Sequence, residues 1–141
     1  MPTSAPATSA PNRALHIGLW VAQALLGLGF VMIGQTKLTA PIAELSKQAA
    51  WMSEMPWLVR FIGVSEVLGG IGVVLPAAVR VLPKLSGIAA GALVVVMVLA
   101  VGYHLAQHDT LGHTMPAVVF GALAAFVAWG RLVKAPIAPR G

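Results

Sequence analysis

Four apolar stretches, residues 14–34, 58–75, 85–103 and 115–132, divide the chain. Polar side chains within them are sparse. His16 and Gln23 interrupt the first, Arg60, Ser65 and Glu66 the second, Ser86 the third, and the fourth has no charge before Arg131. The runs are continuous, and each is roughly 18–21 residues, close to the ~20 that a helix needs to cross a ~30 Å hydrocarbon core. Strands of a membrane barrel alternate in polarity and need only ~9–11 residues. The pattern therefore predicts an all-α polytopic membrane protein, an antiparallel four-transmembrane-helix bundle. The first run begins well inside the chain and is followed by no small-residue cleavage site, so it reads as a retained span and not a signal peptide.

The segments between the runs carry their own patterns. Residues 1–13 are rich in Pro, Ser, Thr and Ala and read as a disordered tail; residues 133–141 read as a second tail that frays likewise. Residues 14–132 form the single domain. The short linker 76–84, bounded by Pro76 and Pro83, forces spans two and three into a hairpin. Between spans one and two, Thr39-Ala40-Pro41 reads as a helix start with Thr39 as cap. Ile42, Leu45, Ala49 and Met52 then recur at helical spacing, while Glu44, Lys47, Gln48 and Glu54 lie largely off that stripe. A short amphipathic helix lying at the membrane interface follows, ended before Pro56. Small residues recur on every span, including Gly27 and Gly34, Gly63, Gly69 and Gly70, Gly87 and Gly91, and Gly121. In lipid, where helices gain little by hiding apolar surface from one another, such steps allow close backbone approach in a compact bundle.

Composition sharpens the class. Of 141 residues, 58% are hydrophobic and 9% charged, with a mean hydropathy of +0.87; a soluble domain carries about 25% charged residues. Disorder, collagen, coiled coil and a soluble nucleic-acid binder are excluded, and the bilayer is the expected partner. Without cysteine the chain offers no disulfide, thiolate nucleophile or iron–sulfur ligand. The net charge is +5, and seven of the nine basic residues lie outside the apolar runs, which points to anionic headgroups and not to nucleic acid. Arg13, Arg80, Lys84, Arg131, Lys134 and Arg140 fall on one side of a four-span topology, against Lys37, Lys47 and the span-edge Arg60 on the other. The positive-inside rule then places both termini in the cytoplasm.

Glu66 is the sharpest candidate for chemistry. It lies about eight residues into its span, ~12 Å deep at 1.5 Å per residue. A carboxylate there must be paired, protonated or facing a wet cavity. Arg60 is no simple same-helix partner, being about 120° away around the helix. Lys37, Gln35 and His104 are the candidates from other spans. The topology brings Lys37, Arg60, Glu66 and His104 to one end as a candidate ligand-binding pocket; a purely structural interhelical ion pair is the competing reading. His104 and His108 share a helix face if the helix continues, with Asp109 and His113 nearby, a set that could hold metal. Gly112 and the span end argue for solvated loop histidines instead, so no metal site is assigned. His16 lies at the opposite face and shares no haem with them. No phosphate loop, dinucleotide fingerprint or catalytic triad is present.

Gly34-Gln35-Thr36-Lys37-Leu38, Arg60-Phe61-Ile62-Gly63-Val64-Ser65-Glu66-Val67-Leu68-Gly69, Leu75-Pro76 and His104 together resemble the DoxX-like family of small four-span bacterial membrane proteins. The likeness covers about residues 15–131, and the span-two segment is its specific part. The resemblance implies a four-helix bundle in the bacterial inner (cytoplasmic) membrane. Related members are associated with thiosulfate:quinone oxidoreductase or with membrane complexes handling thiol and oxidative stress. The expectation is an accessory or quinone-contacting subunit, with quinone as the candidate cofactor and a membrane protein or a second copy as partner. Lacking cysteine, the chain does no direct thiol–disulfide chemistry. A binding or transport module for a small anionic or proton-coupled ligand stays open, as does a structural subunit of a larger complex, and so does the question of enzymatic activity.

Overall fold

A computed structural model describes residues 12–141, so most of the N-terminal tail expected over 1–13 lies outside the described residues. The helices are α1 (Arg13–Thr39), α2 (Ile42–Leu45), α3 (Trp51–Glu54), α4 (Pro56–Val79), α5 (Lys84–Ala106) and α6 (Leu111–Trp129), the last continued by a π-helical turn, Gly130–Lys134. Among the described residues four helices are long and apolar enough to cross a membrane. Each long helix packs against two others, in the ring α1–α4–α5–α6–α1, with α1 and α4 most extensively joined. This is the neighbour pattern of an up-and-down four-helix bundle. Large apolar side chains such as Leu28, Phe61, Leu68, Leu99 and Val119 project outward from it, a surface that suits lipid. The core is built of Leu26, Phe30, Val73, Ala90, Leu93 and Val127.

Local chemistry sets the helix limits. Asn12 caps α1, its side-chain oxygen accepting from the Ala14 N–H at 3.0 Å. Pro56 opens α4, where a missing N–H costs nothing. Pro76 lies inside the last turn of α4 rather than in the linker. Its ring and missing N–H disturb the helical ladder there, and two backbone groups close by bond to other helices. The buried Ala77 N–H donates to Ser86 Oγ on α5 at 3.0 Å, and the Val73 carbonyl accepts from Gln23 Nε2 on α1 at 2.6 Å.

The α1–α4 contact depends on glycine. A Cβ on Gly34 would stand 2.7 Å from the Gly63 carbonyl oxygen, and one on Gly70 would stand 2.7 Å from that of Gly27. Two pairs about two turns apart thus bring the helices to backbone contact. Gly91, by contrast, faces open space and plays no such part within the bundle.

Two expectations are corrected. The single amphipathic helix over 42–52 is two four-residue helices joined by turns, and Thr39 is no N-cap. Thr39 ends α1, its hydroxyl donating back to the Gln35 carbonyl at 3.0 Å. Ser46 donates likewise to the Ala43 carbonyl, and the Lys47 and Gln48 N–H groups reach back only three residues, a tightening that ends a helix. The apolar stripe still faces inward, with Leu45 and Met52 buried beside Val59. The C-terminal segment lies back against the end of α4. Arg80 Nε donates to the Ala138 carbonyl at 3.0 Å, and the Arg140 N–H to the Arg80 carbonyl at 2.8 Å.

Candidate functional site

At the bundle end bearing α2 and α3, the buried stripe of α4 runs Val59, Gly63, Glu66, Gly70 and Val73. Glu66 is thus carried inward by the same periodicity that packs the helix. Its side chain is 3% exposed and receives the ammonium of Lys37, in the last turn of α1, at 2.5 Å on Oε1. The Lys37 side chain is 21% exposed, so the cation is less enclosed than the acid. The second carboxylate oxygen, Oε2, is buried and has no hydrogen-bond partner. An acceptor left so in low dielectric is costly unless something donates to it.

The four sequence candidates do not all converge. Lys37 and Glu66 meet. Arg60 does not reach the carboxylate; its Nη1 donates to the Lys37 carbonyl and its Nη2 to the Ala40 carbonyl at 2.9 Å. It caps the C-terminus of α1, where unpaired carbonyls and the helix dipole favour a cation, and so fixes the backbone that carries Lys37. His104 pairs with Asp109, Nδ1 to Oδ2 at 2.7 Å, and packs edge-on to Tyr103. Tyr103 in turn meets Trp51 of α3, so His104 belongs to the same end but to a separate contact. Gln35 is exposed. His113 bonds to Thr110 at 3.1 Å, and no cluster of metal-ligating side chains exists among the described residues.

A second polar group lies at the opposite end and was not assembled from the sequence. Arg131 is 2% exposed. Its Nε donates to Gln23 Oε1 at 2.6 Å, its Nη1 reaches His16 Nδ1 at 3.2 Å and the Ala135 carbonyl at 3.3 Å, and its Cζ lies 5.1 Å from the centre of the Trp20 ring. The signal was present. Arg131 stands four residues after Val127, on the buried stripe that also holds Ala117 and Ala124, so it continues the inward face of α6.

The model of the DoxX-like family matches residues 21–127. Neither curated proteins nor solved structures give a match.

Proposed function

The chain belongs to the DoxX-like family, and from the geometry at Glu66 we propose that it serves as a quinone-contacting subunit of a membrane oxidoreductase system. The observation that carries this reading is the buried, unpartnered Oε2 of Glu66 beside the Lys37 ammonium. The pair offers the hydrogen-bonding chemistry that such a ligand uses: a carboxylate oxygen accepts from a ring hydroxyl, and an ammonium with two N–H groups beyond the one on Oε1 donates to a ring carbonyl. A quinone supplies a two-electron, two-proton carrier when bound. Lys37 balances the carboxylate charge on Oε1, and Oε2 would accept a hydrogen bond from the hydroxyl of a bound ring. Arg60 holds the Lys37 backbone, and thereby the ammonium, in register with α4.

A bacterial inner membrane with both chain ends in the cytoplasm accords with this reading. The basic residues gathered at Arg13, Arg80, Lys84, Arg131, Lys134 and Arg140 support that orientation. A second reading, a structural subunit, is favoured by the glycine contacts of Gly34 with Gly63 that flank the pair; here the pair fastens α1 to α4 and binds nothing.

The test is the full chain purified in mild detergent, its lipid extract analysed by mass spectrometry for quinones, beside Glu66→Gln. Wild type should retain quinone. The variant, folded and inserted, should retain about tenfold less, as expected for one hydrogen bond of about 1.4 kcal/mol. A wild type free of quinone, or equal retention by both, overturns the proposal. Loss of thermal stability with no ligand in either protein favours the structural subunit.

A further inference from the structure

The two ends of the bundle differ in charge. All four acidic side chains, Glu44, Glu54, Glu66 and Asp109, belong to the loop end or the half of α4 that leads from it. Among the described residues, Glu66 and Glu44 pair with Lys37 and Lys47, and Asp109 meets the His104 ring. Arg131, at the other end, therefore carries a buried charge with no carboxylate against it. Neutral acceptors hold its Nε and Nη1, while Nη2 is buried without a partner among the described residues. A buried cation is stable when it is paired.

His16 is short of an acceptor in the same place. Arg131 Nη1 stands 3.2 Å from its Nδ1, and Trp20 Nε1 stands 3.2 Å from its Nε2. Guanidinium and indole N–H groups donate only, and an imidazole always carries at least one N–H. One ring nitrogen of His16 must therefore present a hydrogen where the described residues offer only another donor.

A cleft of about 360 Å³ opens here, lined by His16, Trp20, Ala78, Arg80 and residues of the C-terminal segment, among them Pro136 and Ala138. Arg131 sits behind the wall that His16 and Trp20 make. Arg80 stands at the end of α4 in the left-handed region, φ 58°, which turns the chain out of the helix at the cleft. Its Nε is taken by the Ala138 carbonyl, which holds the guanidinium at the lining while its fork stays exposed.

We infer that this cleft binds a phosphate group of net negative charge, met at the lining by Arg80 and His16 and favoured by the uncompensated charge of Arg131 behind it. Phosphate supplies the negative charge that this end lacks, and the guanidinium fork of Arg80 matches it in geometry. The three residues lie in the first or last turns of their spans, the depth at which lipid headgroups sit. The phosphate can thus come from an acidic lipid or from solution, and the site is independent of the reading offered for Glu66.

The experiment uses the full chain in nanodiscs. In discs of mixed phosphatidylglycerol and phosphatidylcholine, native mass spectrometry reads which lipid stays bound. In discs of phosphatidylcholine alone, the thermal midpoint is read with and without inorganic phosphate. Preferential retention of phosphatidylglycerol with no effect of phosphate identifies the headgroup; a midpoint raised by inorganic phosphate identifies the free anion. Either effect should fall about tenfold in Arg131→Gln. Should that variant not fold, Arg80→Asn decides, since Asn tolerates the left-handed backbone while removing the exposed charge together with the bond to the Ala138 carbonyl. Equal retention of the two lipids with no phosphate effect in wild type overturns the inference. So does an Arg80→Asn protein that binds as wild type does.

Discussion

Removing one partner of the Lys37–Glu66 pair should cost very different amounts depending on which is removed. The Glu66 side chain is 3% exposed and that of Lys37 21%. In Lys37→Met the carboxylate stays buried with neither oxygen paired. The cost should approach that of stranding a buried charge, about 3–5 kcal/mol. In Glu66→Gln the ammonium keeps an amide oxygen as acceptor and can swing toward the rim, so the loss should be nearer about 1–2 kcal/mol. The double variant leaves no charge behind. It should be less destabilised than the sum of the two by about 2 kcal/mol or more, as residues in direct contact are not additive. Unfolding in mixed micelles of mild detergent and SDS, followed by tryptophan fluorescence, gives the four stabilities. Additive losses, or a Glu66→Gln protein less stable than Lys37→Met, would refute the argument that burial of the acid governs the pair.

Three further outcomes follow from the same structure. Gly63→Ala should destabilise by about 1–3 kcal/mol, because its Cβ meets the Gly34 carbonyl oxygen at 2.9 Å and backbone cannot step aside; Gly91→Ala, facing open space, should be neutral or favourable by up to about 1 kcal/mol, and equal losses in the two would contradict the packing described. Reporter fusions at Gln107 and Gly141 should report opposite sides of the membrane, with Gly141 cytoplasmic; a periplasmic Gly141 reverses the proposed orientation. A spin label at Leu45, buried against Met52 and Val59, should be immobile beside a mobile one at the exposed Lys47, and matching spectra would mean that α2 does not dock.

Much of the fold could be read from the chain because span length and continuity are one-dimensional signals. Glu66 was legible for a related reason, being the lone acid within an apolar run, and Lys37 followed from the side on which span one must end. What stayed hidden depended on local ends and distant partners. Arg60 caps a helix whose last residue, Thr39, could not be placed by apolarity, since α1 continues through polar Gln35, Thr36 and Lys37. His104 meets Asp109 because His108 turns the chain with a φ of 56°, a backbone choice that residue type alone does not dictate. The helix over 42–52 broke because isolated helices so short have little stability of their own, so the burial of Leu45 and Met52 sets the path. Arg131 was grouped with headgroup-facing cations by its place near the chain end. Its helical phase with Val127 pointed inward, but its acceptor, Gln23, lies 108 residues earlier.

That separation has a consequence for how the protein is made. Gln23 and Val73, fifty residues apart, can find each other once the second span has left the ribosome. The same amide's oxygen must wait for an arginine that emerges 108 residues after it. During synthesis the first span therefore brings in a polar side chain unmatched, the second span matches half of it, and the last span completes it. Only with that final helix does the ring close and the basic end acquire its interior, so the order of translation is also the order in which this end of the bundle becomes dry.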